Sequence, residues 1–349
     1  MSYSPTVSVV MPIYNHSKTQ LAEAIYSILN PTFQDLELII IDGSFNNENF
    51  NFVSSINDAR IRYFKTKGYI NCLNFGVEKS KGKYIARMDS DDFSYPTRIE
   101  EQVSFLENNP DVDICSCLVK FYGDDIDEKI SEHKYQVTLL NFINHHEFVH
   151  TAMMFRKSIN VHYDNLKPVE DCLLYRKLLL TGYKFEIIDK VLLKSFHSRN
   201  SIETKYPKYI LFQLARINIY ALSKYYDFKL SFVEDIFKKR EFSKSEIIEF
   251  LNLVHFLNSK IKPFDLDIIK ITTLYFSYIL SRYRNKSFLL LEPLFYKTFF
   301  KSYLITFSKD FLKNIFSITN EYRHASKRKE NKQKVLTVFG IKYRFKNKK

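Results

Sequence analysis

Strand patterns that alternate with helix patterns constrain this chain more than any other feature of its sequence. Two uninterrupted apolar runs, VSVVMPIY at 7–14 and LELIIID at 36–42, are typical of strands buried on both faces of a parallel sheet. Apolar residues at helical spacing separate them at 20–29. Further strand and helix patterns follow at 59–65, 71–81, 83–89 and 96–110. The alternation predicts an α/β fold built on a doubly wound, mostly parallel sheet.

Polar side chains follow three of the predicted strands. Because ligands of open α/β sheets bind at the carboxyl ends of the strands, these clusters are expected to converge on one rim. They are Pro12, Tyr14 and Asn15 after the first strand, Asp42 to Ser44 after the second, and Asp89 to Asp92 after the fourth.

The last of these clusters, DSDD at 89–92, packs three carboxylates into four positions. Such a set is strongly repulsive unless a cation lies among the acids. Mg²⁺ and Mn²⁺ prefer carboxylate and phosphate oxygens, so an acid pair here can hold a divalent ion that bridges to a diphosphate. A solvated acidic turn is the alternative interpretation of the same residues.

Several other classes of site are disfavoured by the sequence. No GxGxxG follows the first strand and no GxxxxGK[ST] occurs, which argues against dinucleotide-binding and P-loop folds. The four cysteines lack a CxxC pair and are expected to be buried thiols rather than zinc ligands. His145, His146 and His150 have no acid or cysteine at ligand spacing, so we interpret them as surface or core-edge histidines.

The chain is expected to divide into a catalytic domain at 1–205, a helical region at 206–322 and a basic tail at 323–349. The formal net charge is +13, and the tail alone carries eleven lysines and arginines with one acid. Its end, KVLTVFGIKYRFKNKK, predicts a hairpin whose second arm alternates apolar and basic residues. Such a segment suits an anionic membrane surface, with a solvated tail or nucleic-acid contact as alternatives. No signal peptide or spanning run is recognised, so we expect a cytoplasmic, peripheral location and no nucleic-acid partner.

Four segments in order resemble the inverting family 2 glycosyltransferases of the GT-A fold. They are VSVVMPIYN, LELIIIDGS, GKYIARMDSDD and VEDCLLYRKLLLTGY, and they extend over roughly residues 5–203. FVHTAMMFRKS and FHSRNS resemble the segment between the metal motif and the base and a later histidine-containing stretch. The tail resembles those of bacterial enzymes that build surface polysaccharide or lipopolysaccharide.

The resemblance implies a nucleoside diphosphate sugar donor, with UDP as the expected nucleotide, and Mn²⁺ or Mg²⁺ as cofactor. Pro12, Tyr14 and Asn15 would line the nucleotide pocket, and Asp42 would contact base or ribose. Asp91 would be the main metal ligand, and Asp89 would contact ribose and metal. His197 would either approach the metal or diphosphate or be a hydrogen-bonded structural residue. Asp171, paired with Glu170 in the catalytic site, would be the general base for attack by a hydroxyl of a glycan or lipid-linked acceptor.

Two departures from the family pattern leave residue roles open. Ile41 stands where a second acid commonly precedes Asp42, and the segment after the third strand offers Asn71 but no Arg, with Lys67 as a possible substitute. Arg87 would either contact the diphosphate or neutralise the acids. Two rival functions are a sugar-nucleotide nucleotidyltransferase, disfavoured because PIYNHSKTQ lacks a Gly-rich phosphate loop, and a non-catalytic basic membrane or nucleic-acid binding protein.

Overall fold

The computed structural model describes residues 4–14, 17–124, 126–133, 136–144, 148–199, 205–237, 243–260, 316–323, 331–338 and 341–345. The chain divides into two compact units, Met1–Ile217 and Asn218–Lys349. The expected three-part division at 205/206 and 322/323 stays a prediction.

The first unit is built on a sheet to which nine of the described strands belong. They are β1 Val7–Ile13, β2 Leu36–Asp42, β3 Ile61–Lys65, β4 Tyr84–Arg87, β5 Phe93–Ser94, β6 Ile114–Gly123, β7 Lys129–Ile130, β8 Met154–Arg156 and β9 Phe185–His197. The order is β3-β2-β1-β4-β8-β6-β9-β5, with β7 beside β6. Pairing is parallel from β3 to β4 and between β6 and β9, and antiparallel in the other pairs. The predicted α/β class is therefore confirmed.

Helices cover both faces of this sheet. They are α1 Lys18–Leu29, α2 Glu48–Ser54, α3 Tyr69–Lys79, α4 Arg98–Asn108, α5 Leu139–Asn144 and α6 Glu170–Leu180, and a 3₁₀ turn lies at His150–Ala152. α1 and α4 pack with Val9 and Met11 of β1 in one buried cluster, whereas α3 and α6 pack with Val10 in the other. This two-sided burial explains why β1 is apolar except at Ser8, because successive side chains of a strand point to opposite faces.

Close packing of α3 against the sheet depends on Gly76. A Cβ at this position would lie 2.4 Å from Val10 Cγ1 and 2.8 Å from Ile41 Cδ1. The missing side chain lets the helix backbone approach β1 and β2 closely. This approach holds the first residue of α3, Tyr69, near the carboxyl ends of those strands.

Residues 149–158, whose apolar sequence favours a strand, form one only in part. The first half of this segment forms the 3₁₀ turn, and only Met154–Arg156 pairs, antiparallel to both β4 and β6. The turn interrupts the strand directly beside the end of β4, where Arg87 N–H donates to Met153 O at 2.8 Å. Residues of the turn are thereby brought to the acid cluster.

The second unit contains a three-stranded antiparallel sheet with the order β10 Phe316–Arg323, β11 Asn331–Val338 and β12 Ile341–Phe345. β11 and β12 form the predicted hairpin, while Gly340 lies outside the described residues. α7 Pro207–Tyr225 and α8 Lys244–Lys260 agree with the predicted helical region, of which 261–315 also lies outside them. In the part of the chain that the structure describes, no helix has the length and apolar character needed to cross a bilayer.

Candidate active site

The acid cluster begins where β4 ends. Asp89 N–H donates to Thr151 Oγ1 in the 3₁₀ turn at 2.9 Å, and the Asp89 carboxylate accepts from Arg87 Nη2 at 2.6 Å. Arg98, fully buried at the start of α4, donates to Arg87 O and Thr151 O, so it ties β4 to the turn. The Asp89 side chain remains 36% exposed. A strand end, a turn and a helix thus hold one carboxylate at the surface of the rim.

Arg87 lies beneath this carboxylate with only 2% of its side chain exposed. Besides Asp89 it donates to the Met88 carbonyl and to Tyr69 Oη, the latter at 3.0 Å. A guanidinium buried in this way and bonded to protein acceptors fits the neutralising role better than contact with a diphosphate. Of the two roles left open by the sequence, the geometry favours neutralisation of the acids.

Asp92 is a buried acid with no sequence-based assignment. Its Oδ1 accepts the Phe196 N–H at 2.9 Å, and its Oδ2 has no hydrogen-bond partner among the described residues. Burial, and then the charges of Asp89 and Asp91, raise the pKa of Asp92 to about 8. A cation close to this loop would relieve the repulsion that raises it.

His197 is held next to the same loop, because it follows Phe196 at the end of β9. Its half-buried ring packs edge-on against Phe121, with ring centroids 5.3 Å apart. Across the described ranges, no group of three or more His, Cys, Asp or Glu side chains is assembled that could hold a metal ion alone. The metal set of Asp89, Asp91 and His197 therefore stays a prediction that needs ligand atoms from the substrate as well.

A second pair of acids opens α6. Asp171 is partly exposed, and its Oδ1 accepts the Cys172 N–H at 2.7 Å. Glu170 is 5% exposed, and its Oε2 has no hydrogen-bond partner in the described part of the chain. Burial, and then the charge of Asp171, raise the pKa of Glu170 to about 7. The two neighbouring acids therefore differ in environment, one reaching solvent and one desolvated.

Two buried phenols connect the acid cluster with α6. Burial raises the pKa of Tyr69, Arg87 opposes the rise, and the charges of Asp89 and Glu170 add to it. Burial also raises the pKa of Tyr163. Arg87 opposes this rise, and the charges of Asp171, Glu170 and Asp89 add to it. Asp89 at the end of β4 and Glu170 at the start of α6 thus both act on Tyr69 and Tyr163.

Among the three histidines, only His150 lies within the described residues. It forms a hydrogen bond of 2.9 Å between its Nε2 and Tyr163 Oη, at the edge of the buried cluster. This agrees with its interpretation as a core-edge histidine. His145 and His146 lie outside the described residues.

The predicted nucleotide rim forms at the ends of β1 and β2. Asp42 is fully buried, and its carboxylate accepts hydrogen bonds from Ser44 N–H at 2.8 Å and Tyr63 Oη at 2.5 Å. Asn49 Nδ2 donates to Asp42 Oδ1 and to Tyr14 O, which ties the two strand ends together. In this structure Asp42 organises the loop, and its contact with base or ribose stays a prediction.

The other predicted nucleotide residues are placed differently. Tyr14 is 48% exposed beside the loop, Pro12 is buried within β1 opposite Ile41, and Asn15 lies outside the described residues. Lys67 and Asn71 are exposed around the start of α3, where Asn71 Nδ2 donates to Lys67 O at 2.8 Å.

The site also contains a cation that sequence reasoning missed. Lys167, in the loop before α6, has its Nζ 4.5 Å from the centroid of the Tyr69 ring. Lys167 belongs to no recognisable motif, and only the fold brings it to the start of α3.

Comparison with known proteins decides the family. The glycosyl transferase family 2 model matches residues 8–163. An uncharacterized glycosyltransferase of Methanocaldococcus jannaschii is 34% identical over 203 residues, which cover 54% of this chain and 70% of that protein. The chain belongs to glycosyl transferase family 2.

More distant family members and structures agree with this assignment. A bifunctional glycosyltransferase of Dictyostelium discoideum, pgtA, is 27% identical over 343 residues, and the match covers 80% of this chain but only 44% of that protein. The crystal structure of S. aureus TarS 1–349 in complex with UDP has a TM-score of 0.51 at 17% identity, over 79% of this chain and 90% of that one. Likeness at this identity establishes the fold alone, and it confirms the predicted GT-A fold. Family membership also disfavours the nucleotidyltransferase interpretation.

The raised pKa of Glu170 predicts a pH dependence of the stability of this family 2 domain. The folded protein holds the Glu170 proton up to about pH 7, whereas the ordinary pKa is 4.5. The unfolded state therefore binds fewer protons between these values, and Glu170 makes stability fall as pH rises through them. Gln does not titrate, so Glu170→Gln escapes this loss. Between pH 5 and pH 8 its free energy of unfolding should rise relative to that of the wild type by on the order of 3 kcal/mol.

Chemical denaturation of both proteins across this pH range measures that difference. Glu23→Gln, at an exposed position of α1, is the control and should show a constant difference from the wild type. If the free energy of unfolding of Glu170→Gln also differs from that of the wild type by the same amount at every pH, the interpretation of Glu170 as a desolvated acid is contradicted.

Proposed function

We propose that this chain is a metal-dependent, inverting glycosyltransferase. It transfers a sugar from a nucleoside diphosphate sugar, with UDP as the nucleotide, to a hydroxyl of a glycan or lipid-linked acceptor in surface polysaccharide or lipooligosaccharide synthesis. The observation that carries this proposal is the position of two sets of acids relative to Tyr69. Asp89 is held at the end of β4 by Arg87, which also donates to Tyr69 Oη, and the Glu170–Asp171 pair opens α6, where the preceding Lys167 lies over the ring of the same Tyr69. The acids after β4 suit a metal and a diphosphate, and the acids that open α6 suit an attacking hydroxyl.

The acid cluster fits a hard divalent cation. Asp89 and Asp91 offer partly exposed carboxylate oxygens, and a bound cation would favour ionisation of the buried Asp92, whose Oδ2 has no hydrogen-bond partner among the described residues. Mg²⁺ is commonly held by one or two carboxylates together with substrate phosphates, so the absence of a complete protein ligand set in the described ranges is compatible with this role. Asp89, Asp91 and His197 would hold Mn²⁺ or Mg²⁺. When bound, such an ion offsets negative charge on the departing diphosphate.

The nucleotide would bind along the ends of β1 and β2. Tyr14 presents half of its side chain there, and Pro12 with the loop after Asp42 fixes the floor. TarS has been crystallised with UDP and with UDP-GlcNAc, which supports a uridine nucleotide for a chain of the same fold. Asn15, Lys67 and Asn71 remain predicted contacts of the donor.

Asp171 is the proposed general base. It is partly exposed at the first turn of α6, where the helix dipole favours its ionised form. The acceptor hydroxyl loses its proton to this carboxylate as its oxygen attacks the anomeric carbon, and the bond to the diphosphate oxygen breaks. A single displacement of this kind inverts the anomeric centre and needs no covalent sugar intermediate. Buried Glu170 adjoins the base and completes the catalytic pair.

The basic tail is proposed to contact an anionic membrane surface. In the second unit, the register opposes Ile341 to Val338 and Tyr343 to Leu336, so these four positions share one face of the sheet. Lys342 and Arg344 alternate with them on the other face. Basic residues near an anionic leaflet each contribute about 1 kcal/mol of attraction, which supports peripheral binding at the inner face of the cytoplasmic membrane.

A donor panel tests the proposed reaction. With Mn²⁺ or Mg²⁺ and lipid-linked acceptor extracts, we expect nucleotide release from a UDP-sugar, loss of that release after chelation with EDTA, and a product of inverted anomeric configuration by NMR. Retention of configuration would contradict the single displacement. Turnover that is unaffected by EDTA would contradict the metal, and release from no donor in the panel would contradict the transferase itself.

A further inference from the structure

Lys167 occupies a central place in the site although no sequence pattern marks it. Its Nζ lies 4.5 Å from the centroid of the Tyr69 ring. The hydroxyl of the same ring accepts from Arg87 Nη2, which also holds Asp89. One aromatic side chain therefore separates the exposed ammonium group from the buried Arg87–Asp89 pair.

The charge of Lys167 acts on two parts of the site. Burial dominates the raised pKa of Glu170, and the Lys167 charge opposes that rise. It likewise opposes the rise that burial and Asp42 cause in the pKa of Cys72. Cys72 Sγ lies under the loop after β2, 3.3 Å from where a Cβ of Gly43 would be. The Lys167 charge thus acts both beneath the proposed nucleotide loop and on Glu170 at the start of α6.

Within the described residues Lys167 forms no ion pair with a carboxylate, and its side chain contacts the Tyr69 ring. The nearby lysine at 177 differs in this respect, since it pairs with Asp164 at 2.7 Å. An exposed, strongly hydrated ammonium group is a suitable partner for phosphate oxygens. The neighbouring acids alone would repel a diphosphate, so a fixed cation between them and the nucleotide loop has a clear electrostatic use.

We propose that Lys167 binds the diphosphate of the donor nucleotide. This inference rests on the proposed transferase function. The sequence pattern offered Lys67 instead, as a substitute for the Arg of the family's segment after the third strand. Lys67 is exposed beside the start of α3, where its main-chain carbonyl accepts a hydrogen bond from Asn71 Nδ2. Lys167 is instead held with its Nζ over the Tyr69 ring, whose hydroxyl bonds the guanidinium that holds Asp89.

The test is nucleotide binding rather than turnover. UDP and uridine are titrated into the full chain by calorimetry or ligand-observed NMR, with Mn²⁺ and with EDTA. Because a hydrogen bond to a charged group is worth about 1.5–3 kcal/mol, Lys167→Met should raise the dissociation constant of UDP by about tenfold or more. Uridine, which lacks phosphates, should bind both proteins equally, and Lys167→Arg should retain most of the UDP affinity.

Lys79→Met is the matched control. Lys79 Nζ lies 4.8 Å from the centroid of Phe75, so it makes the same kind of contact at the other end of α3. The Lys79→Met variant should bind UDP with the affinity of the wild type. Lys67→Met tests the rival assignment.

Each outcome decides a separate question. If the wild type binds UDP and Lys167→Met binds it equally well, or if only Lys67→Met weakens it, the assignment of Lys167 is overturned and the transferase function stands. Equal losses of UDP and uridine affinity would also overturn it, since the effect would not involve the phosphates. If the wild type does not bind UDP with either Mn²⁺ or EDTA, the proposed function fails and this inference fails with it.

Discussion

Replacing Asp171 by Asn is expected to reduce turnover by about 10²–10⁴-fold, the usual contribution of a positioned general base. Asn has nearly the same shape, and its side-chain oxygen can still accept the Cys172 N–H that Asp171 Oδ1 accepts at 2.7 Å. The fold of α6 should therefore be preserved. An amide cannot take up the proton of the acceptor hydroxyl, so the chemical step alone should be affected.

Steady-state turnover and UDP titration, measured together on the variant, check this expectation. UDP should bind as it does to the wild type, because the proposed nucleotide contacts lie at β1, β2 and the loop before α6. Asp164→Asn is the control, since Asp164 lies on that loop and forms a surface ion pair with Lys177, with 39% of each side chain exposed. Surface pairs of this kind contribute little, and turnover should be retained. Unaltered turnover in Asp171→Asn would remove Asp171 from the role of base.

The strands and their carboxyl rim could be predicted because their signal is local. Strands buried on both faces need unbroken apolar runs, and VSVVMPI and LELIIID form β1 and β2, each buried along its whole length. The acids of the rim follow such runs or open a helix, so Asp89 and Asp171 could be selected from the chain alone. Residues whose role follows from their position along one element are those that sequence analysis finds.

Residues that complete the site through contacts between distant segments could not be found in this way. Tyr69 and Lys167 carry no motif, and the segment FVHTAMMFRKS assigned no role to Thr151. These residues meet the acid cluster only because β8 pairs antiparallel with β4 and α3 packs closely on β1. Asp42 shows the converse case. Its pattern indicates a ligand contact, but Tyr63, on a neighbouring strand, occupies its carboxylate. Parallel strand ends identify the rim, and tertiary contacts decide which of its side chains are free to bind.

Arg87 provides the second large expected effect, because it combines a structural and a functional role. Its guanidinium donates to Asp89, Tyr69 and the Met88 carbonyl, with 2% of the side chain exposed. Arg87→Met should lower the free energy of unfolding by about 3 kcal/mol, the lower end for breaking a buried pair, since the Asp89 side chain is partly solvated. Turnover should also fall by at least about tenfold, because Asp89 loses the donor that fixes it.

Asp89→Asn separates the two roles. The Asp89 side chain is 36% exposed and Asn can still accept the Arg87 Nη2 hydrogen bond, but the buried guanidinium loses its partner charge. Stability should therefore fall by about 1–2 kcal/mol, which is less than in Arg87→Met. Turnover should nevertheless fall as much as in Arg87→Met or more, because an amide is a weaker metal ligand than a carboxylate. Urea denaturation and turnover of both variants are the measurements. If Arg87→Met proves as stable as Asp89→Asn, the buried guanidinium does not support the rim. If Asp89→Asn retains full turnover, Arg87 must act through Tyr69 and α3 rather than through the carboxylate that it positions.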